Sequence, residues 1–267
     1  MNLREETEKI KAEGYIEATA EARLCQDIIL MAISESSLKN NVTIKGGVVM
    51  RNLSGSARRA TLDIDLDFIR YSISDNSIKA FINKINGTDN LTISIKEPIK
   101  ELNHQDYKGK RVIVNISDSF GNSIDGKIDI GIHKDFDLKQ EEYCFDLCFQ
   151  KDGVSLLMNS KEQIISEKLK SLLRFMSRNT RYKDVYDIYF LKDSVNSAFL
   201  KKCIKNSVFA DSTLAVSNFK DINMRLNLIF NNELYITELE RSRKNWLDID
   251  TKTVLSELLA YFKKLEN

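Results

Sequence analysis

Residues Lys45–Arg70 read KGGVVMRNLSGSARRATLDIDLDFIR, and they decide how the rest of the chain is understood. Asp63, Asp65 and Asp67 recur at alternate positions. Side chains on a strand alternate between faces, so all three carboxylates fall on one side. Ile64, Leu66 and Phe68 fill the other side and supply the apolar content of a half-buried strand. Three neighbouring negative charges repel one another unless cations sit among them, and oxygen-only donors at this spacing suit Mg²⁺ or Mn²⁺. Upstream, Gly46-Gly47 precedes a short helix expected over 48–53. Lacking a Cβ, these residues let backbone N–H groups approach a phosphate, and a helix N-terminus adds a favourable dipole. A plain tight turn is the competing reading. The Asp-x-Asp strand that follows favours the phosphate.

Outward from this stretch, the spacing predicts a core-packed helix over 15–36, preceded by a charged, loosely held helix within residues 1–14. Residues 41–45 form a short strand leading into the glycines. A helix is expected over 76–85 and a strand over 91–95, with Pro98 ending the latter. Residues 110–116 and 123–132 read as paired strands around the turn SDSFGN. The second carries Asp129, with Asp125 and Lys127 in the same phase. Residues 143–149 and 154–158 suggest a hairpin around Lys151-Asp152-Gly153, with Cys144 and Cys148 sharing a buried face. From residue 159 onward nearly everything reads as helix. The expected fold is α+β: a mixed β-sheet with flanking helices over 1–158, then a helical domain over 159–267 that completes the active-site cleft.

Composition narrows the class. Hydrophobic residues make up 42% of the chain, enough for packed cores, and 40 Lys and Arg against 39 Asp and Glu leave a net charge of +1. No global field points to a polyanionic partner. Four cysteines without a C-x-x-C, and two histidines (His104 and His133), argue against zinc and for reduced thiols in a cytoplasmic protein. The polar start is no signal peptide, and no apolar run is long enough to span a membrane. Trp246, beside Arg241, Arg243 and Lys244, could stack on a base; packing as a helix anchor is the preferred reading.

Three blocks occur in order: Lys45-Gly46-Gly47 with Arg59-Ala60-Thr61-Leu62-Asp63-Ile64-Asp65, then Glu167-Lys168-Leu169, then Arg181-Tyr182-Lys183-Asp184 with Asp187. Together they resemble the AbiEii/AbiGii toxin family, within the DNA polymerase β-like nucleotidyltransferases, over roughly residues 40–191. The resemblance implies that Asp63 and Asp65 bind the metal with a third carboxylate from a neighbouring strand, Asp129, for which Asp125 competes. The Arg59-x-Thr61-x-Asp63 spacing selects Asp63/Asp65 over Asp65/Asp67 as the metal pair. Gly46, Gly47, Arg59 and Thr61 would bind the NTP, and Lys127 would neutralise part of the carboxylate face. Lys168 would contact the nucleotide phosphates or sugar, and Asp184 would hold a basic residue or assist catalysis. Without the first block, the run around Lys168 would read as a solvated charged helix.

The same resemblance implies a toxin that transfers NMP from an NTP to a tRNA 3′ end and is silenced by a cognate antitoxin. Other readings are nucleotidylation of a small molecule or protein, a catalytically inactive nucleotide-binding regulator, and a metal-dependent nuclease. In a nuclease the Gly-Gly turn has less purpose.

Overall fold

A computed structural model describes residues 1–102, 109–134 and 137–266; His104 lies outside these. The chain divides into two compact units, Met1–Asn159 and Ser160–Asn267.

The first unit is a mixed sheet with helices on it. In chain order it comprises α1 (Leu3–Ala12), α2 (Glu17–Glu35), β1 (Val42–Lys45), α3 (Gly46–Ser54), β2 (Asp63–Phe68), α4 (Asp75–Lys84), β3 (Thr92–Ile95), β4 (Lys100–Leu102), β5 (Gly109–Ser117), β6 (Ser123–Ile132), β7 (Glu141–Leu147) and β8 (Gln150–Met158). Among the described residues these strands form one sheet in the order β3-β5-β6-β2-β1-β8-β7, with β4 also paired to β5. Most pairings are antiparallel, but β2 runs parallel to β6 and β1 parallel to β8.

Alternation along β2, β5 and β6 sends Ile64, Leu66, Val112, Val114, Ile116, Ile128 and Ile130 to one face, where all are buried. Helix α2 crosses this face. It is buried on every side from Leu24 to Ile33, which explains the apolar run Ile28–Ile33. Gly126 of β6 permits that approach, because a Cβ there would collide with the Cys25 Sγ of α2. Asp27 lies within this apolar helix, fully buried, and accepts from Arg51 of α3 at 2.6 Å and from the Cys148 backbone N–H at 2.9 Å. It therefore ties α2 to α3 and to the β7–β8 turn.

Two local expectations need correction. Helix α1 is not loosely held: Leu3 and Ile10 are buried, and Asp118 accepts from the Leu3 N–H at 2.9 Å. The hairpin turns at Cys148-Phe149, not around Lys151–Gly153, and a register shift lies between Phe145 and Leu147. Cys144 is consequently exposed and Cys148 half-buried in the turn, so the two do not share a buried face.

The second unit is helical: α5 (Lys161–Phe175), α6 (Lys183–Leu191), α7 (Ser197–Ile204) running into a π-helical turn (Lys205–Phe209), α8 (Phe219–Phe230), α9 (Glu233–Arg241) and α10 (Thr251–Lys264). A capping box starts α5, with Ser160 and Gln163 each accepting the other's backbone N–H. Leu169, Leu173, Ile188, Leu200, Leu226 and Phe262 are among its core residues. Among the described residues no helix is long and apolar enough to cross a membrane.

Candidate active site

The polar face of the first unit's sheet carries the site. The pairing register sets Lys45 of β1 opposite Asp65 of β2, Asp65 beside Asp129 of β6, and Asp129 opposite Arg111 of β5. One row across four strands therefore reads cation, carboxylate, carboxylate, cation. Register neighbours share a face and lie about 5 Å apart, so the two central carboxylates are held side by side despite their repulsion. One position along, Asp63 lies beside Lys127; one position the other way, Thr43 is opposite Asp67.

Basic side chains engage three of these carboxylates. Arg111 forks onto Asp129, Nε to Oδ1 and an NH₂ group to Oδ2, both at 2.7 Å. Lys127 reaches Asp63 Oδ1 at 2.5 Å, and Lys45 reaches Asp67 Oδ1 at 2.8 Å. Asp129 is 9% exposed while its partner Arg111 is 34% exposed, so the fork closes over the carboxylate from the solvent side. The hydrogen bond to Asp129 raises the Arg111 pKa, with the Asp63 and Asp65 charges adding to it. Arg111 thus feels the whole acidic row.

Helix α3 begins at Gly46, whose φ of +66° is a left-handed conformation that glycine adopts without penalty. A Cβ on Gly46 would overlap the Asp65 carboxylate, and one on Gly47 would come within 2.5 Å of Thr61 Oγ1. The bare backbone of the helix start is therefore laid against Thr61 and Asp65. Arg59 sits in the 3₁₀ turn Ala57–Arg59 against α3 and is buried.

In the second unit, Lys168 of α5 pairs with Asp184 at 2.6 Å and Asp187 at 2.8 Å, both on α6. Asp187 is fully buried and also accepts from the Trp246 indole N–H at 3.0 Å. Trp246 is itself buried and stacks at a tilt on Phe190, so it serves as an anchor.

A family model described as "Nucleotidyl transferase AbiEii toxin, Type IV TA system" matches residues 28–262. The chain belongs to this family. It is accordingly a nucleotidyltransferase of a toxin–antitoxin system, with an NTP as substrate and an antitoxin as its counterpart. The crystal structure of an antigenic nucleotidyltransferase-like protein from Paracoccidioides brasiliensis is similar at 15% identity and a TM-score of 0.42, over 79% of this chain and 97% of that one. Comparison with curated proteins gives no significant match.

In this AbiEii-family toxin the sheet brings together Gly46, Gly47, Thr61, Asp63, Asp65 and Asp129. Lys168 and Asp184 meet each other within the second unit. Asp125 shares this face but lies farther along β6, beyond the start of β2, where Asn115 donates to it at 2.9 Å and Lys96 at 2.5 Å. Arg111 and Asp187 are the additions that sequence reasoning did not assign. Arg111 sits in a strand-like run, KRVIVNI, where it reads as an ordinary solvent-facing residue; only the register places it on Asp129.

Family members generally use a divalent metal, and the donor chemistry here fits one. Asp65 and Asp129 present hard oxygen donors from adjacent strands in one row, with Asp63 next along the same face. Among the described residues no three His, Cys, Asp or Glu side chains converge to hold an ion as they stand. The carboxylate oxygens face ammonium and guanidinium groups.

Proposed function

We propose that Asp63, Asp65 and Asp129 hold Mg²⁺ or Mn²⁺, and that the toxin transfers NMP from an NTP to a tRNA 3′ end with release of pyrophosphate. The observation that carries this reading is the Lys45–Asp65–Asp129–Arg111 row with the Gly46-Gly47 helix start laid against it. The bound cations would supply charge neutralisation of the triphosphate and activation of the acceptor hydroxyl. The chain's own part is to orient. Gly46 and Gly47 offer backbone donors at a helix N-terminus to the phosphates. Thr61 fixes that turn, and Arg59 adds positive charge behind it. Residues 1–158 form the catalytic domain in this reading, and residues 159–267 contribute Lys168, which Asp184 pairs with at 2.6 Å and orients for the nucleotide phosphates.

The RNA acceptor is supported by a charge asymmetry that the net +1 conceals. Ser160–Asn267 carries 19 Lys and Arg against 14 Asp and Glu, a net +5, whereas Met1–Asn159 carries 21 against 25, a net −4. A positive unit attached to an acidic catalytic unit suits a polyanionic acceptor, which basic side chains hold through its phosphates.

The test is incubation with Mg²⁺, total tRNA and each α-³²P-labelled NTP, with Asp65→Ala as control. Label entering RNA with the wild type alone is the expected result and names the donor nucleotide. Label on protein or on a small molecule in cell extract would replace the tRNA acceptor. Nucleotide binding without any transfer would replace the enzyme with a regulator.

A further inference from the structure

The two flanks of the acidic row differ. Lys45 lies opposite Asp65 but sends its ammonium diagonally to Asp67. Asp67 lies outside the proposed metal set. Arg111, by contrast, spends both arms of its guanidinium on Asp129, a carboxylate of that set. A bidentate fork satisfies both carboxylate oxygens with fixed geometry and is the strongest form of such a pair. Asp129 is nearly buried beneath it, while Arg111 is the more exposed partner and sits on a strand outside the carboxylate pair. The guanidinium can therefore swing outward without unpacking the sheet.

We propose that Arg111 is the residue that sets cation affinity at this site, by occupying both oxygens of Asp129 until a divalent ion displaces it. The proposal rests on the reading of Asp129 as a metal ligand. Two consequences follow from electrostatics. A cation must open the Arg111–Asp129 fork before Asp129 can donate, and it must approach a fixed positive charge. Both lower the affinity of the wild-type site. Removing the guanidinium removes both obstacles, so the affinity of the remaining carboxylates rises.

The experiment is a Mn²⁺ titration of the full-length protein, followed by loss of the free-ion electron paramagnetic resonance signal. The series is wild type, Arg111→Gln, Arg111→Lys, Asp129→Asn and the Arg111→Gln/Asp129→Asn double variant. We expect Arg111→Gln to lower the Mn²⁺ Kd by about tenfold, equivalent to about 1.4 kcal/mol. Arg111→Lys keeps the charge but loses the fork, and should lie between Gln and the wild type. In the Asp129→Asn background the fork has gone already, so the gain from Arg111→Gln should shrink to the charge contribution, about the step from Arg111→Lys to Arg111→Gln. An unchanged or raised Kd in folded Arg111→Gln overturns the proposal and leaves the metal reading standing. A series in which no folded variant binds Mn²⁺ overturns both. If Arg111→Gln does not fold, the Arg111→Lys comparison decides by the same criterion.

Discussion

Replacing Gly46 by alanine tests the architecture of the site at one atom. Two penalties combine. The residue has φ +66°, where an L side chain crowds its own backbone at a cost of about 1–2 kcal/mol. The added methyl also meets Asp65, within 2.8 Å of its Cγ and 2.9 Å of its Cβ, closer than real carbon atoms approach. Asp65 is held in the middle of a sheet between β1 and β6, so its backbone cannot retreat and its carboxylate must rotate. For a chain of this size each kcal/mol lowers Tm by about 2–4 °C, which gives a fall of roughly 2–8 °C from the backbone alone. The effect on chemistry is larger. Misplacing a reacting group by about 1 Å costs about a hundredfold in rate, so transfer by Gly46→Ala should drop at least that far. Thermal denaturation and labelled-NTP transfer, measured on the same preparation, give both quantities. Gly47→Ala is the control: no left-handed φ is at stake there, and the methyl strikes Thr61 rather than a carboxylate. A Gly46→Ala protein with wild-type Tm and rate would refute the placement of the helix start against Asp65.

Two further outcomes follow from groups away from the carboxylate row. Arg51→Met should cost about 3 kcal/mol, read as a lowered denaturant midpoint, because it leaves the fully buried Asp27 carboxylate with Cys148 and a more distant Arg23; a loss under about 0.5 kcal/mol, the scale of an ordinary surface substitution, would mean that the pair contributes nothing. Lowering the pH from 4 towards 2 should release α1. Desolvation pushes the Asp118 carboxyl up, but Asn122 and the backbone N–H groups of Leu3, Asn122 and Phe120 outweigh it and hold its pKa at about 2. A depressed folded-state pKa stabilises above the unfolded value of 3.8 and is lost as pH falls through the folded value. Amide exchange in residues 3–12 should therefore accelerate over that window in the wild type, and an Asp118→Asn protein should show fast exchange already at pH 6.

The sequence made one kind of information legible and hid another. Alternation in DIDLDF and SIDGKIDIGI assigned faces, because side-chain direction is a local property of a strand. Periodicity likewise located α2 and α4 to within a few residues. Neighbours are not local. Nothing in KRVIVNI marks Arg111 as the partner of Asp129, and nothing in the apolar run around Asp27 marks Arg51, 24 positions on, as its counter-ion. The hairpin was misplaced for a related reason: the irregularity between Phe145 and Leu147 breaks the two-residue period, so extending the phase from Cys144 to Cys148 gave the wrong face. The short β4 beyond Pro98 carries too few residues for any pattern to show.

The parallel pairing of β2 with β6 also bears on when the acidic row can form. Asp65 and Asp129 are 64 positions apart and become neighbours only after β6 has been synthesised and has docked. β1, the strand on the other side of β2, gains its own parallel neighbour β8 later still, at Leu157 and Met158. Such long-range ladders close slowly, since loop entropy is lost before any contact forms. A chain still on the ribosome, or released early by premature termination upstream of β6, holds Asp63 and Asp65 without Asp129. The topology delays assembly of the acidic row until most of the first unit has been translated.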